Sequence, residues 1–245
     1  MSKILVDFYL QNLLLINQPK VIIVNSHRIQ FIMKSKSLIL FCLFTFALSL
    51  YRVLYSGTFS FIFLNWNLFL AFVPLTFTYI IEKKSLKGYW FWLMFFGWLL
   101  FFPNAPYVIT DLKYLNRNNT KSGVPIWLDI VLISSFAINS ILLGFISAEK
   151  IFNQLKKLYN RWWANIVIIT CMLLSGFGVY LGRFERFNSW DIISNPSLLI
   201  DNIADIFIHP FQNSHSIELS ILFGIMFCLI FFSLHETIQS QKSDS

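Results

Sequence analysis

Long apolar runs alternate along the chain with short polar connections. The runs cover 38–55, 59–81, 88–109, 125–147, 162–182 and 217–238. Each is close to the ~20 residues a helix needs to cross a hydrocarbon core of roughly 30 Å. Backbone N–H and C=O groups in lipid must be bonded within their own segment, so spans of this length predict helices. Barrel strands would run about ten residues and alternate in polarity. The pattern predicts an all-α polytopic bundle of six spans within residues 37–239 and a polar tail at 240–245. Between the last two spans, Leu199, Ile203, Ile206 and Phe207 are set against Asp201, Asn202 and Asp205. That spacing predicts a helix near 196–208 lying along the membrane interface.

The first 36 residues do not fit this rhythm. Ile4 to Ile16 is apolar but too short to span, and Asn17-Gln18-Pro19-Lys20 follows it. Met33-Lys34-Ser35-Lys36 stands directly before the first long run. Residues 1–36 therefore read as a cytoplasmic extension, with Met33 as an alternative start. Ala47-Leu48-Ser49 has the small-x-small form of a signal-peptide cleavage site. An uncleaved anchor is preferred, because apolar character continues to Tyr55 and five further spans follow.

Composition supports the membrane reading. The chain is 56% apolar and 13% charged, against about a quarter charged in a soluble domain. Too few polar groups remain to cover a water-facing surface. A disordered chain, a secreted disulfide scaffold and a nucleic-acid binder are all excluded by the apolar content, the 3 cysteines and the scattered basic excess of +7. Cys42, Cys171 and Cys228 each sit inside an apolar run without metal-ligand spacing and read as small apolar residues. No metal and no cofactor are expected. The expected partners are the lipid bilayer and a lipid or anionic small molecule, and oligomeric state is left open.

Lys and Arg set the orientation. The N-terminal segment, the second and fourth connections and the tail carry 13 of them; the other three connections carry 6. Both termini are therefore expected on the cytoplasmic side. Tyr89, Trp90, Trp92, Trp162 and Trp163 then form an inner aromatic belt, and Tyr51, Tyr55, Tyr107 and Trp127 an outer one. The 28 Phe residues are expected to be lipid-facing filler.

In that orientation the unusual polar residues gather near the outer face. Asn67 lies in the outer third of the second span. The third ends in Pro103-Asn104-Ala105-Pro106-Tyr107, followed by Thr110-Asp111; the fourth carries Asp129 one turn in; the fifth leaves through Gly182 to Asp191. Each proline lacks an N–H and clashes one turn back, so the carbonyls of Leu99 and Phe102 should lose their helical partners. Asn104 or Asn67 can donate to such freed carbonyls. Asp129, ionisable inside a span, needs a partner; Arg183 or Arg186 is expected, with Asp111 and Asp191 completing a network. On a structural reading these ions lock three helices together. On a functional reading an arginine stays free to hold a phosphate or carboxylate in a planar, bidentate way. Arg183 and Arg186 are three apart and share a face if the helix continues. The expected ligand-binding set is Asn67, Asn104, Tyr107, Arg183, Arg186 and Asn188. Gly178 and Gly182 form a GxxxG suited to packing within the chain, and Asn188 to Asp191 reads as a capping pattern.

Leu100 to Asp111 (LFFPNAPYVITD), Trp66-Asn67-Leu-Phe-Leu-Ala and Gly182-Arg-Phe-x-Arg-x-Asn-Ser-Trp-Asp191 resemble the bacterial membrane-protein family catalogued as domain of unknown function 1361. The resemblance covers roughly residues 40–235. Glu185 stands where the family usually has an apolar residue, so this face is not purely cationic. The resemblance implies class, motif positions and a multi-pass place in a bacterial cytoplasmic membrane, and it adds no reaction.

Three functions fit. The first is binding of a polar or anionic, head-group-like ligand at the outer cluster. The second is an enzyme using Asp111, Asp129 or Asp191 as general base on a lipid-linked substrate, although the chain has no HExxH or GxSxG motif. The third is a small-solute transporter, against which stand the lack of an internal repeat and the few ionisable groups at mid-membrane.

Overall fold

The computed structural model describes the backbone of residues 19–116 and 123–243; the short apolar run Ile4 to Ile16 lies outside the described residues. Among them every regular element is helical. Helix α1 (Pro19–Ser56) leads to α2 (Phe63–Lys83) and α3 (Gly88–Phe101). A one-turn α4 (Asn104–Tyr107) then runs into a 3-10 helix (Val108–Asn116). Helix α5 (Ile126–Leu158) precedes α6 (Arg161–Tyr180), which continues as a π turn (Leu181–Glu185). The one-turn α7 (Asp191–Ser194), α8 (Pro196–Ile208) and α9 (Ser214–Ser243) complete the described residues. Six stretches are long and apolar enough to cross a membrane: Lys36–Ser56, Phe63–Lys83, Gly88–Leu115, Ile126–Leu158, Arg161–Glu185 and Ser214–Ser240. The protein is an all-α, multi-pass integral membrane protein.

Helix α5 is the most buried span and α1 and α9 are the least. It packs against α2, α6, the 3-10 helix and α1, while α9 lies along α6. Small residues allow that last approach. A Cβ on Gly176 would run into the backbone of Ser220 and Gly224, and one on Gly224 would come 2.8 Å from Leu173 Cα. Backbones that close gain dispersion along their whole contact, which is how helices associate where lipid removes the hydrophobic drive.

The phenylalanines divide, against the expectation that they fill the lipid-facing surface. Phe91, Phe95, Phe102, Phe145, Phe152, Phe227 and Phe231 are buried together around Trp98. Ring pairs such as Trp98–Phe102, with centroids 4.7 Å apart, run through this cluster. Aromatic rings bury much area at little entropic cost and stack edge or face on each other, so they serve this bundle as interior. Others, such as Phe46, Phe69 and Phe96, are exposed on the outside of the bundle, where lipid covers them. At one end of the bundle Tyr89, Trp90, Trp162 and Trp163 are exposed, and at the other Tyr51, Tyr55 and Trp127.

Candidate functional site

The end of the bundle that carries Asp111, Asp129 and Arg183 is shaped by the two prolines. Helix α3 stops at Phe101, and Pro103 begins a tight turn before α4. The prolines take the helical donors of Leu99 O and Phe102 O, as expected, and the break frees the carbonyls of Leu100 and Phe101 as well. Phe102 O is recovered by Ala105 N at 3.1 Å, whereas Leu100 O accepts from Ser189 Oγ at 3.0 Å and Phe101 O from Asn104 Nδ2 at 2.9 Å. Asn104 Nδ2 also donates to Ser189 Oγ at 2.9 Å. The turn lifts residues 104 and 105 out of the helical ladder, so the carbonyls facing them are the ones that need side chains. Gly178 and Gly182 pack on this break: an added Cβ on Gly178 would sit 2.8 Å from the Pro103 ring, and one on Gly182 3.3 Å from the Tyr107 ring.

Arg183 points from the π turn into the protein. It pairs with Asp111, and its Nε donates to Thr110 Oγ1 at 2.6 Å. The guanidinium lies 4.2 Å over the Tyr107 ring and 5.8 Å from that of Tyr114. Asn67 Nδ2 donates to the other Asp111 oxygen at 3.0 Å. Asp111 is thereby fully engaged, and both ions are almost wholly removed from the surface. A charge pair this deep stands only with such added hydrogen bonds.

The expected partner of Asp129 is corrected. Asp129 pairs with Arg52 of α1, at 3.1 Å from Nε, and not with Arg183 or Arg186. Arg52 Nη1 donates to Ser56 Oγ at 3.1 Å and Thr58 Oγ1 at 2.9 Å, and the guanidinium lies 4.6 Å over Phe61. Two separate buried ion pairs thus replace one network, because Asp111 already saturates Arg183. The signal for Arg52 was present in the sequence: a guanidinium inside an apolar run has to find an acid.

Asp191 belongs to neither pair. Its carboxylate accepts from the backbone N–H of Asn188 at 2.6 Å and from Ser194 Oγ at 2.8 Å. Those two donors, Asn188 first, hold its carboxyl below the usual carboxylate range. Arg186 is exposed and forms no ion pair among the described residues; its φ of +63° ends the π turn in a left-handed conformation. That bend separates Arg186 from Arg183, so the two guanidiniums do not share a face.

A cavity of about 690 Å³ opens beside the break, between α2, α3, α6 and the α7–α8 segment. Asn67, Asn104, Tyr107, Asn188 and Ser189 supply its polar lining. Leu93, Phe96, Leu174, Phe177 and Leu199 line it with apolar surface. None of the three aspartates singled out as general bases lines it, nor do Arg183 and Arg186. Ser189, absent from the sequence-derived set, is a lining residue and a strut of the break at once. Its advance signals were its place inside the capping pattern and inside the Gly182 to Asp191 motif of the resemblance.

The sequence profile of the family described as "Protein of unknown function (DUF1361)" matches residues 66–230. The chain belongs to this family. Comparison with curated proteins and with solved structures returns no match. The matched part of the family contains the proline break, the Arg183–Asp111 pair and the cavity. Arg52, the partner of Asp129, precedes it.

Proposed function

We propose that this membrane protein holds an amphipathic, lipid-like molecule in the cavity beside the proline break, with its polar or anionic head at Asn67, Asn104, Asn188 and Ser189. The observation that carries the reading is the cavity's two-part lining. Its apolar stretch from Leu93 to Pro103 amounts to about 15 Å of helical rise, half of a hydrocarbon core of roughly 30 Å. That is the depth of one leaflet. Pockets with an apolar body and a few convergent polar groups are the usual form of a small-molecule site. The amides donate and accept without a fixed charge, while Arg186, exposed and unpaired beside the lining residue Phe187, offers a guanidinium to an anionic head at the rim.

In this reading the protein lies in a bacterial cytoplasmic membrane with both termini inside, which the Lys and Arg distribution supports. The cavity then serves the outer leaflet. Arg183 and Asp111 form the rigid wall against which the break is built.

The test is native mass spectrometry of the full chain released from nanodiscs of mixed zwitterionic and anionic phospholipid. The wild type should retain lipid, and Asn104→Leu with Asn188→Leu should lower retention about tenfold, equivalent to ~1.4 kcal/mol of binding. Leu174→Trp, which fills the apolar part, should do the same with an unchanged melting temperature. Arg186→Ala should reduce the preference for anionic over zwitterionic lipid. Equal retention by all four proteins would overturn the proposal.

A further inference from the structure

Helix α1 meets the bundle through a stripe of polar side chains. Cys42, Thr45, Ser49, Arg52 and Ser56 recur every three or four residues and so share one face. Asn139 Nδ2 donates to Thr45 Oγ1 at 2.5 Å, and Cys42 Sγ donates to Asn139 Oδ1 at 3.4 Å. Asn65 Nδ2 of α2 donates to Ser49 Oγ at 2.8 Å. The Arg52–Asp129 pair follows, and beyond it Ser56, Thr58 and the exposed Ser60 link by hydroxyl contacts of 3.0 and 3.2 Å. A continuous polar seam therefore leads from the surface at Ser60 down between α1, α2 and α5. From Arg52 to Cys42 it descends about 15 Å, which reaches the middle of the bilayer.

Buried polar atoms without a partner are uncommon, and each needs a cause. Arg52 Nη2, Asn65 Oδ1 and Ser140 Oγ are buried and have no hydrogen-bond partner among the described residues. Arg52 and Asn65 belong to this seam, Ser140 follows its member Asn139 in the chain, and a fourth such atom, Asn202 Oδ1, lies on α8. Arg52 Nη2 needs an acceptor, Asn65 Oδ1 needs a donor, and the Ser140 hydroxyl takes either. A fully deprotonated anion has no proton to give the amide oxygen, and a metal cation cannot accept from the guanidinium. A small molecule that both donates and accepts suits all three.

We propose that the seam is a hydrated recess, open at Ser60 and blind below Ser140, that holds a file of water molecules to mid-membrane depth. Water supplies two donors and two acceptors at each position, and buried water of this kind typically makes about three hydrogen bonds. Below Ser140 the large apolar side chains Leu143 and Phe145 of α5 are buried, which closes the file. The recess lies apart from the lipid cavity and does not depend on it.

Cys42 provides a native reporter. Hydroxyl radicals are generated in place by brief X-ray exposure of the full chain in nanodiscs, and thiol oxidation is read by peptide mass spectrometry. Cys42 and Cys228 are both partly buried, but Cys228 packs against the aromatic core. Because oxidation follows access to the oxidant, Cys42 should react at least ~5-fold faster than Cys228. Thr45→Val, which keeps the volume and removes the hydroxyl, should bring the Cys42 rate towards that of Cys228. A Cys42 rate equal to or below that of Cys228 overturns the proposal, and so does a fast rate unaffected by Thr45→Val.

Discussion

Arg52 and Asp129 meet at 3.1 Å with side chains only 1% and 2% exposed, although 77 residues separate them in the chain. The pair ties the least buried helix, α1, to the most buried, α5. Removing one charge leaves the other stranded in a medium that solvates it poorly. Asp129→Asn should therefore cost about 3–5 kcal/mol of stability, measured as a shift in the unfolding transition in detergent. The double change Arg52→Met with Asp129→Leu should recover most of that loss. An Asp129→Asn protein as stable as wild type would contradict the assignment.

Arg183 tests geometry more than charge. Arg183→Lys keeps the cation near Asp111 but removes the donor to Thr110 and the planar group over Tyr107. Lysine should cost about 1–3 kcal/mol. Alanine should cost more, because Asp111 would lose its counter-ion. Thermal unfolding of the three proteins side by side should give the order wild type, lysine, alanine.

Asp191 gives a pH signature. Its donors Asn188 and Ser194 hold the carboxyl below its usual value, so the folded form binds a proton less readily than the unfolded chain. Its contribution to stability is then fully present above the unfolded value of about 3.9 and is lost as pH falls through the lower folded value. The melting temperature of Asp191→Asn should lie a few degrees below wild type at neutral pH. The gap should stay constant between about pH 5 and 8 and close in acid below about pH 4. A gap that persists unchanged in acid would assign the effect to shape instead of ionisation.

The crossing of α6 and α9 depends on the absence of a side chain. Gly176→Leu places bulk against the backbone of Ser220 and Gly224 and should destabilise by about 1–3 kcal/mol or more. Gly97→Ala meets only the Phe77 ring, which can turn aside. It should be the milder of the two in the same unfolding assay.

The helical bundle was legible in the sequence because bilayer thickness fixes how long an apolar run must be. The crowding of Asn67, Asp111 and Arg183 at one end followed from the same arithmetic, since residues equally distant from span ends share a depth. Depth, however, says nothing about azimuth. Arg183 and Arg186 lie at one level, yet the π turn and the left-handed residue at its end send one inward and one outward. Asp129 had three arginines within reach by depth, and the packing of α1 on α5 selected Arg52. Ser189 could not be foreseen as the partner of Leu100 because the two are 89 residues apart.

Hydropathy along the chain, by itself, determined the class of protein, its six crossings and the level at which its polar groups collect. That is so because lipid penalises every unbonded backbone group and every unpaired charge according to depth alone. Tertiary packing decided which ions pair, which phenylalanines face inward, and where the chain leaves room for another molecule. Those outcomes depend on how helices rotate against one another, and a one-dimensional pattern of polarity does not contain that rotation.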